Sequence, residues 1–226
     1  MTQESVWDRE YRKSKLLTKD NKPQADVVRF VEFIENRKSK IEGSNMLDLG
    51  SGTGRNSYYF AELGAKVTGL EISKTAVQIG QENAQKAWLN IKYIKQSIGE
   101  KFPVADNSVD IALDVTSSNS LTESEREVFL SEINRVLKVG GYFFTKALCK
   151  EGDTNAKYLL KNFPGPEKDT YIMPELGVTE RVWTKDDFEK YYSKYFKIIQ
   201  MEKKTSYSRM NNRVYKRNFW IVYLTK

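Results

Sequence analysis

Apolar and polar positions alternate along this chain in blocks that read by turns as helices and strands. Val27, Phe30, Val31 and Ile34 recur at i, i+3, i+4 and i+7, which predicts a core-facing helix over 24–39. The run Met46-Leu47-Asp48-Leu49 ends in Gly50-Ser51-Gly52-Thr53-Gly54, and an amphipathic stretch continues to Leu63-Gly64. That order predicts a buried strand, a tight loop and a helix closed by a C-terminal glycine. Ala65–Leu70 reads as a second strand ending at Glu71, and Ser73 caps a helix to about Lys86 with Ala76, Val77, Ile79 and Gly80 inward. Further strands follow at Ile91–Gln96 and Val109–Leu113, the latter ending at Asp114. Thr122-Glu123-Ser124-Glu125 is a capping box opening a helix whose apolar face is Val128, Phe129, Ile133, Val136 and Leu137. Gly140-Gly141 is expected to end that helix before strand Tyr142–Thr145. Repeated β-α units of this length predict an α/β chain with a doubly wound, mostly parallel sheet.

Both flanks depart from that rhythm. Residues 5–22 mix aromatics with charge, and Trp7 and Tyr11 share a helical face at i, i+4. Residues 147–183 hold Gly152, Pro164, Gly165, Pro166, Pro174 and Gly177, the composition of a long loop, and long loops inside a domain are usually functional. Thr184 caps a helix over Asp186–Tyr192. Strand-like runs at Phe196–Gln200 and Asn218–Leu224 are joined through the turn signal Met210-Asn211-Asn212.

Length and composition bound the function. At 226 residues with 39% hydrophobic content, the chain suits one domain over 1–226 with a substantial core. No apolar run approaches the roughly 20 residues of a membrane span, and Met1-Thr2-Gln3-Glu4-Ser5 has no signal pattern. A lone cysteine, Cys149, suits a reducing compartment, so a cytoplasmic location is expected. The chain has no histidine, which removes the usual imidazole base and makes a zinc site improbable, so no metal is expected. The net charge of +7 is concentrated late: Lys203, Lys204, Arg209, Arg213, Lys216, Arg217 and Lys226 stand against Glu202. A solvated edge hairpin explains this, and so does a site for an anionic substrate or an RNA backbone.

The glycine loop carries the chemistry. Glycines at a strand-to-helix turn let a ligand approach the backbone, and the helix start favours an anionic group. A dinucleotide fingerprint reads G-x-G-x-x-G, but here the third glycine, Gly54, comes one residue early and Arg55 stands in its place. Asp48 sits inside the strand, and Glu71 follows Gly50 by 21 residues at the next strand end, where a carboxylate can accept both ribose hydroxyls. This pattern resembles the class I S-adenosylmethionine-dependent methyltransferases, from about Trp7 to the C-terminus and most specifically over 46–73. The resemblance implies a Rossmann-like, seven-stranded sheet closed by the C-terminal antiparallel hairpin, with S-adenosyl-L-methionine as cofactor. It further implies that Gly50, Ser51, Gly52 and Gly54 cradle the methionine part, while Glu71 holds the ribose. Ile72 would pack on the adenine, and Ser97-Ile98 would contact its edge, although many relatives carry an aspartate near Ser97. Asp48 and Asp114 would supply negative charge near the ammonium and sulfonium. Trp7 and Tyr11 would belong to a lid over 5–22, with fixed packing of that segment onto the core as the alternative, and 147–183 would supply the substrate side.

The acceptor is narrowed by what is missing. No [N/D]-P-P-[Y/F] run follows the fourth strand, where the chain reads Asp114-Val115-Thr116-Ser117-Ser118-Asn119, and Cys149 is misplaced for cytosine C5 methylation. A small-molecule acceptor methylated at oxygen or nitrogen is expected, with proximity and orientation supplying much of the rate. Arg181, Lys146 and the hairpin arginines would suit an acceptor with a negative group; for Arg181 a surface ion pair with Glu180 or Asp187 is the alternative. Asp114 and Lys146 are the candidate catalytic groups, because RNA ribose 2′-O-methyltransferases place an aspartate and a lysine at the ends of these two strands. Their glutamate near the last strand has no match in Lys216-Arg217-Asn218. An inactive S-adenosylmethionine-binding module is a further alternative.

Overall fold

The computed structural model describes residues 2–13, 22–210 and 213–226, without the side chains of 208–210, 213 and 214. Seven strands form one sheet: β1 Asn45–Leu49, β2 Lys66–Glu71, β3 Ile91–Lys95, β4 Val109–Val115, β5 Leu137–Leu148, β8 Lys197–Met210 and β9 Arg213–Thr225. Their order is β3-β2-β1-β4-β5-β9-β8, parallel through β5 and antiparallel at β9 and β8. The strand order reverses direction between β1 and β4, which is where an open α/β sheet leaves a crevice for a ligand.

Alternation along the central strands builds two cores. On β5, Phe143 and Ala147 point into one layer with Phe129 and Ile133 from α5 Glu123–Val136, Trp183, and Phe188 from α7 Lys185–Tyr192. Phe144 and Leu148 point into the other with Phe30, Ile34 and Phe60, from α2 Ala25–Glu35 and α3 Arg55–Glu62. Helix α4 Lys74–Lys86 starts at Ser73, whose side chain accepts from the Ala76 amide, as the sequence predicts. The capping box at Thr122 forms as well.

Four expectations are corrected. Helix α5 stops at Val136, before Gly140-Gly141, because Leu137 already pairs with Val109 in the sheet. Val128 is exposed and Leu130 fills the core position beside Phe129 instead. Residues 147–183 are no bare loop: they hold helix α6 Thr154–Asn162 and a two-stranded sheet of β6 Thr170–Ile172 and β7 Thr179–Arg181. The closing hairpin is longer than its apolar runs indicate, and residues 211 and 212 of its expected turn lie outside the described residues.

Much of the late basic charge serves this fold. Lys204 pairs with Asp26 at 2.5 Å, Arg217 pairs with the buried Asp153 at 3.2 Å, and Lys226 donates to the carbonyls of Asn134 and Leu137. No described helix is long and apolar enough to cross a membrane.

Candidate active site

A cavity of about 520 Å³ opens at the carboxyl ends of β1, β2 and β4. Asp48, Gly50, Ser51, Gly52, Glu71, Ile72, Ser97 and Ile98 line it from the sheet side, and Trp7 and Tyr11 line it from helix α1 Gln3–Arg12. Ten of the sequence-predicted site residues therefore meet around one crevice. Of the expected lid, residues 14–21 lie outside the described residues.

The first two glycines are required by what stands over them. Gly50 has φ +70°, and a Cβ there would overlap Ser117 Oγ. Gly52 has φ +56°, and a Cβ would come 2.6 Å from the Tyr11 hydroxyl. Gly54 is a different case. It lines no part of the crevice; it is the left-handed N-cap of α3, and a Cβ there would overlap Tyr93 Oη. Packing against Tyr93 alone therefore requires a glycine there.

Two buried carboxylates face the crevice. Glu71 accepts from the Gly52 amide at 2.9 Å and the Ser73 amide at 2.7 Å, so it fixes the loop to β2. Burial raises its pKa against those hydrogen bonds. Asp48 accepts from Ser57 Oγ at 2.6 Å, and burial, with Glu71 and Asp114 nearby, lifts it to about 7. Tyr11 is also pushed upward, by burial first and Glu71 second, so its hydroxyl stays protonated and can donate.

Asp114 and Lys146 are not brought together. The parallel register pairs Asp114 with Thr145 and Val115 with Lys146, so the pleat sends the two side chains to opposite faces. Asp114 is fully buried on the α5 side and accepts from Ser117 N, Ser118 N, Ser118 Oγ and Thr145 Oγ1. It thereby holds the 3-10 turn Ser117–Ser120, and burial raises it to about 6. Lys146 lies on the α2 side, 2.8 Å from Asp26 and 3.3 Å from Gln24 Oε1. Burial opposes charge on Asp26, but hydrogen bonds from Lys146 and Lys204 hold its carboxyl below the usual range. Neither Asp114 nor Lys146 lines the crevice.

Arg181 is also displaced from its expected place. It is buried, while Glu180 accepts from Tyr171 and Asp187 pairs with Lys168 at 3.2 Å.

Sequence reasoning missed several lining residues. Thr116 and Ser117 directly follow β4, and Arg55 and Asn56 open the helix after the glycine loop, so all four were visible by position. Gln3 and Gln24 were not, because only the tertiary fold brings them there.

Helix α1 is fastened over the crevice at several points. Asp8 accepts from Ser73 Oγ at 3.0 Å and the Thr75 amide at 2.8 Å, Glu4 pairs with Lys95 at 2.6 Å, and Gln3 donates to the Ser120 carbonyl.

The donor set fits S-adenosylmethionine: two carboxylates for cationic and hydroxyl groups, a cradle without Cβ atoms, and the apolar Ile72 and Ile98. Strand order, crevice and glycine loop are those of the Rossmann-like methyltransferase fold. The sequence comparisons agree, for residues 47–145 match the family described as "Methyltransferase domain". Sterol 4-C-methyltransferase strm-1 of Caenorhabditis elegans is 31% identical over 113 residues, 50% of this chain and 33% of that protein. Ubiquinone biosynthesis O-methyltransferase of Bartonella quintana is 28% identical over 161 residues, 62% of this chain and 65% of that protein. The chain thus spans between a third and two thirds of these relatives' length. Among solved structures, Burkholderia thailandensis 1,6-didemethyltoxoflavin-N1-methyltransferase, with bound 1,6-didemethyltoxoflavin and S-adenosylhomocysteine, superposes with a TM-score of 0.71. That match has 15% identity and covers 99% of this chain and 86% of the other, a likeness of fold.

Proposed function

We propose that residues 1–226 form one methyltransferase domain that moves a methyl group from S-adenosylmethionine to oxygen or nitrogen of a small molecule. The observation that carries this is the crevice at the β1–β4 reversal, lined by the glycine loop and Glu71 below and by Trp7 and Tyr11 above. Bound there, the cofactor supplies an electrophilic methyl on a sulfonium with a neutral thioether as leaving group. The chain's own part is to hold and shield. Backbone groups of Gly50–Gly52 receive the methionine end, Asp48 offsets its positive charge, and Glu71 holds the ribose. Ile72, Ser97 and Ile98 take the adenine, while α1 excludes water from the reacting side.

In-line displacement at a methyl group is well served by fixed geometry, which is worth up to about 7–11 kcal/mol where reacting atoms are held in alignment. No Asp–Lys pair stands at the crevice, so the ribose 2′-O reading loses the residues on which it rested. The covered crevice favours a small acceptor over a nucleic acid strand. An anionic acceptor is supported by Arg55, which lines the crevice, rather than by Lys146 or Arg181.

Titration calorimetry with S-adenosylmethionine and S-adenosylhomocysteine, with NADH as control, tests the reading. Micromolar binding of the first two and none of NADH is expected, followed by methyl transfer in a screen of small hydroxyl and amine acceptors. Silence with both sulfur ligands would sink it.

A further inference from the structure

Two carboxamides in the crevice wall have their polarity set by partners behind them. Gln24 and Asn56 both line the crevice, and Asn56 is 7% exposed. Gln24 Oε1 accepts from Lys146 Nζ at 3.3 Å, and Asn56 Oδ1 accepts from the Gln24 backbone N–H at 3.2 Å. An ammonium and a backbone N–H can only donate, so each carboxamide turns its oxygen to that partner and its NH2 the other way. Among the described residues neither NH2 meets an acceptor, and neither is sealed from open space. Gln24 is the N-cap of α2, but its side chain makes no capping bond, so the helix does not claim it.

Lys146 is itself firmly held. Its Nζ lies 2.8 Å from Asp26 Oδ2 and 4.7 Å from the centroid of the Phe219 ring, besides its bond to Gln24. Asp26 is held in turn through its other oxygen, by Arg29 at 2.6 Å and Lys204 at 2.5 Å. A loose glutamine would have to be ordered by its ligand; this one is ordered beforehand. The wall here also carries the opposite sign. Asp48 lines the same crevice and is tied to α3 by Ser57, the residue after Asn56. A free α-amino acid group bears an ammonium and a carboxylate on one carbon and needs an acceptor and donors together, whereas a lone carboxylate needs donors only.

We propose that Lys146 is a positioning residue acting through Gln24, and that the Gln24 and Asn56 NH2 groups receive the carboxylate of the cofactor's amino-acid end while Asp48 faces its ammonium. This rests on the S-adenosylmethionine reading above. Lys146 stays outside the crevice and touches no ligand; it fixes which edge of Gln24 the ligand meets.

Calorimetry with two ligands tests it: S-adenosylhomocysteine, and its decarboxylated amine analogue, which keeps the ammonium and lacks the carboxylate. The wild type is expected to prefer the first by roughly 10- to 100-fold, the worth of hydrogen bonds to a charged group. Gln24→Glu keeps the size and can still accept from Lys146, but sets an oxygen where the NH2 stood, so most of that preference should vanish. Lys146→Met leaves Asp26 paired with Arg29 and Lys204 and frees the Gln24 side chain. The preference should then fall about three- to tenfold, and Lys146→Arg should restore it to within about twofold. A general loss of packing would weaken both ligands alike, so the ratio separates positioning from structure. Silence of both ligands in the wild type overturns the cofactor reading and this inference with it. Equal wild-type affinities, or a preference that survives Gln24→Glu, overturn this inference alone, as would follow if the NH2 groups met a carboxylate of the acceptor. A preference unmoved by Lys146→Met overturns the positioning role.

Discussion

The tips of β1 and β2 and the tips of β4 and β5 end at the same edge of one sheet, yet their charged residues have different work. Asp48 and Glu71 line the crevice, while Asp114 and Lys146 are enclosed by their own fold. The register explains the second pair: Asp114 sits opposite Thr145, so Lys146 falls one pleat out of phase. A charge at a strand end is therefore not yet a charge at a site. Its face decides, and a shift of one residue changes the face.

The largest expected effect sharpens this contrast within the glycine loop. Gly54→Ala places a Cβ on Tyr93 Oη at φ +95°, so strain and overpacking together should destabilise the fold by about 3 kcal/mol. Chemical denaturation would show that loss, with cofactor affinity of the folded fraction unchanged. Weaker binding without loss of stability would return Gly54 to the ligand side.

Next comes Asp114→Ala, which leaves two amides and two hydroxyls around the 3-10 turn without their acceptor. A loss of about 2–4 kcal/mol in stability is expected, with S-adenosylhomocysteine affinity within about twofold of wild type at a temperature where the variant is folded. Glu71→Gln should give the converse result in calorimetry, weakening the cofactor by about 1–3 kcal/mol. If the two variants behaved alike, the division between the strand pairs would collapse.

A separate effect concerns pH. The folded-state pKa of Asp48, about 7, lies above its unfolded value of about 3.9, so the folded state binds the extra proton. Stability of the free protein from this group is then full below pH 4 and declines as pH rises toward 7. A cationic ligand reverses the preference, because it favours the ionised carboxylate. Cofactor affinity should accordingly rise several-fold between pH 5.5 and 8, and Asp48→Asn should flatten both profiles. Asp114, at about 6, adds to the stability slope but not to the binding slope.

The β-α rhythm and the glycine-loop side of the crevice were legible because their signals are local. Gly50, Gly52, Glu71 and Ile72 lie within 23 consecutive residues, and each strand announces its own end. Other features depend on partners far away in sequence. Gly54 needed Tyr93, the inward turn of Lys146 needed Asp26, and the burial of Arg181 needed Trp183. Helix α6 and the small β6–β7 sheet are short and flanked by glycine and proline, so their local pattern reads as loop. The hairpin outruns its apolar runs because its outer positions are polar, and backbone pairing rather than side-chain burial continues it there.

Helix α1 brings a last consequence, for the timing of turnover rather than its chemistry. One of its fastenings, Glu4 to Lys95, is an ion pair between solvent-exposed side chains. A ligand enclosed beneath Trp7 and Tyr11 leaves when such fastenings open, and dissolved ions compete for exposed charges. Residence time of S-adenosylhomocysteine, followed by stopped-flow displacement, should therefore shorten between 50 mM and 500 mM salt, and Glu4→Gln should blunt that dependence. The helix that shelters the crevice would thereby also set how quickly it empties.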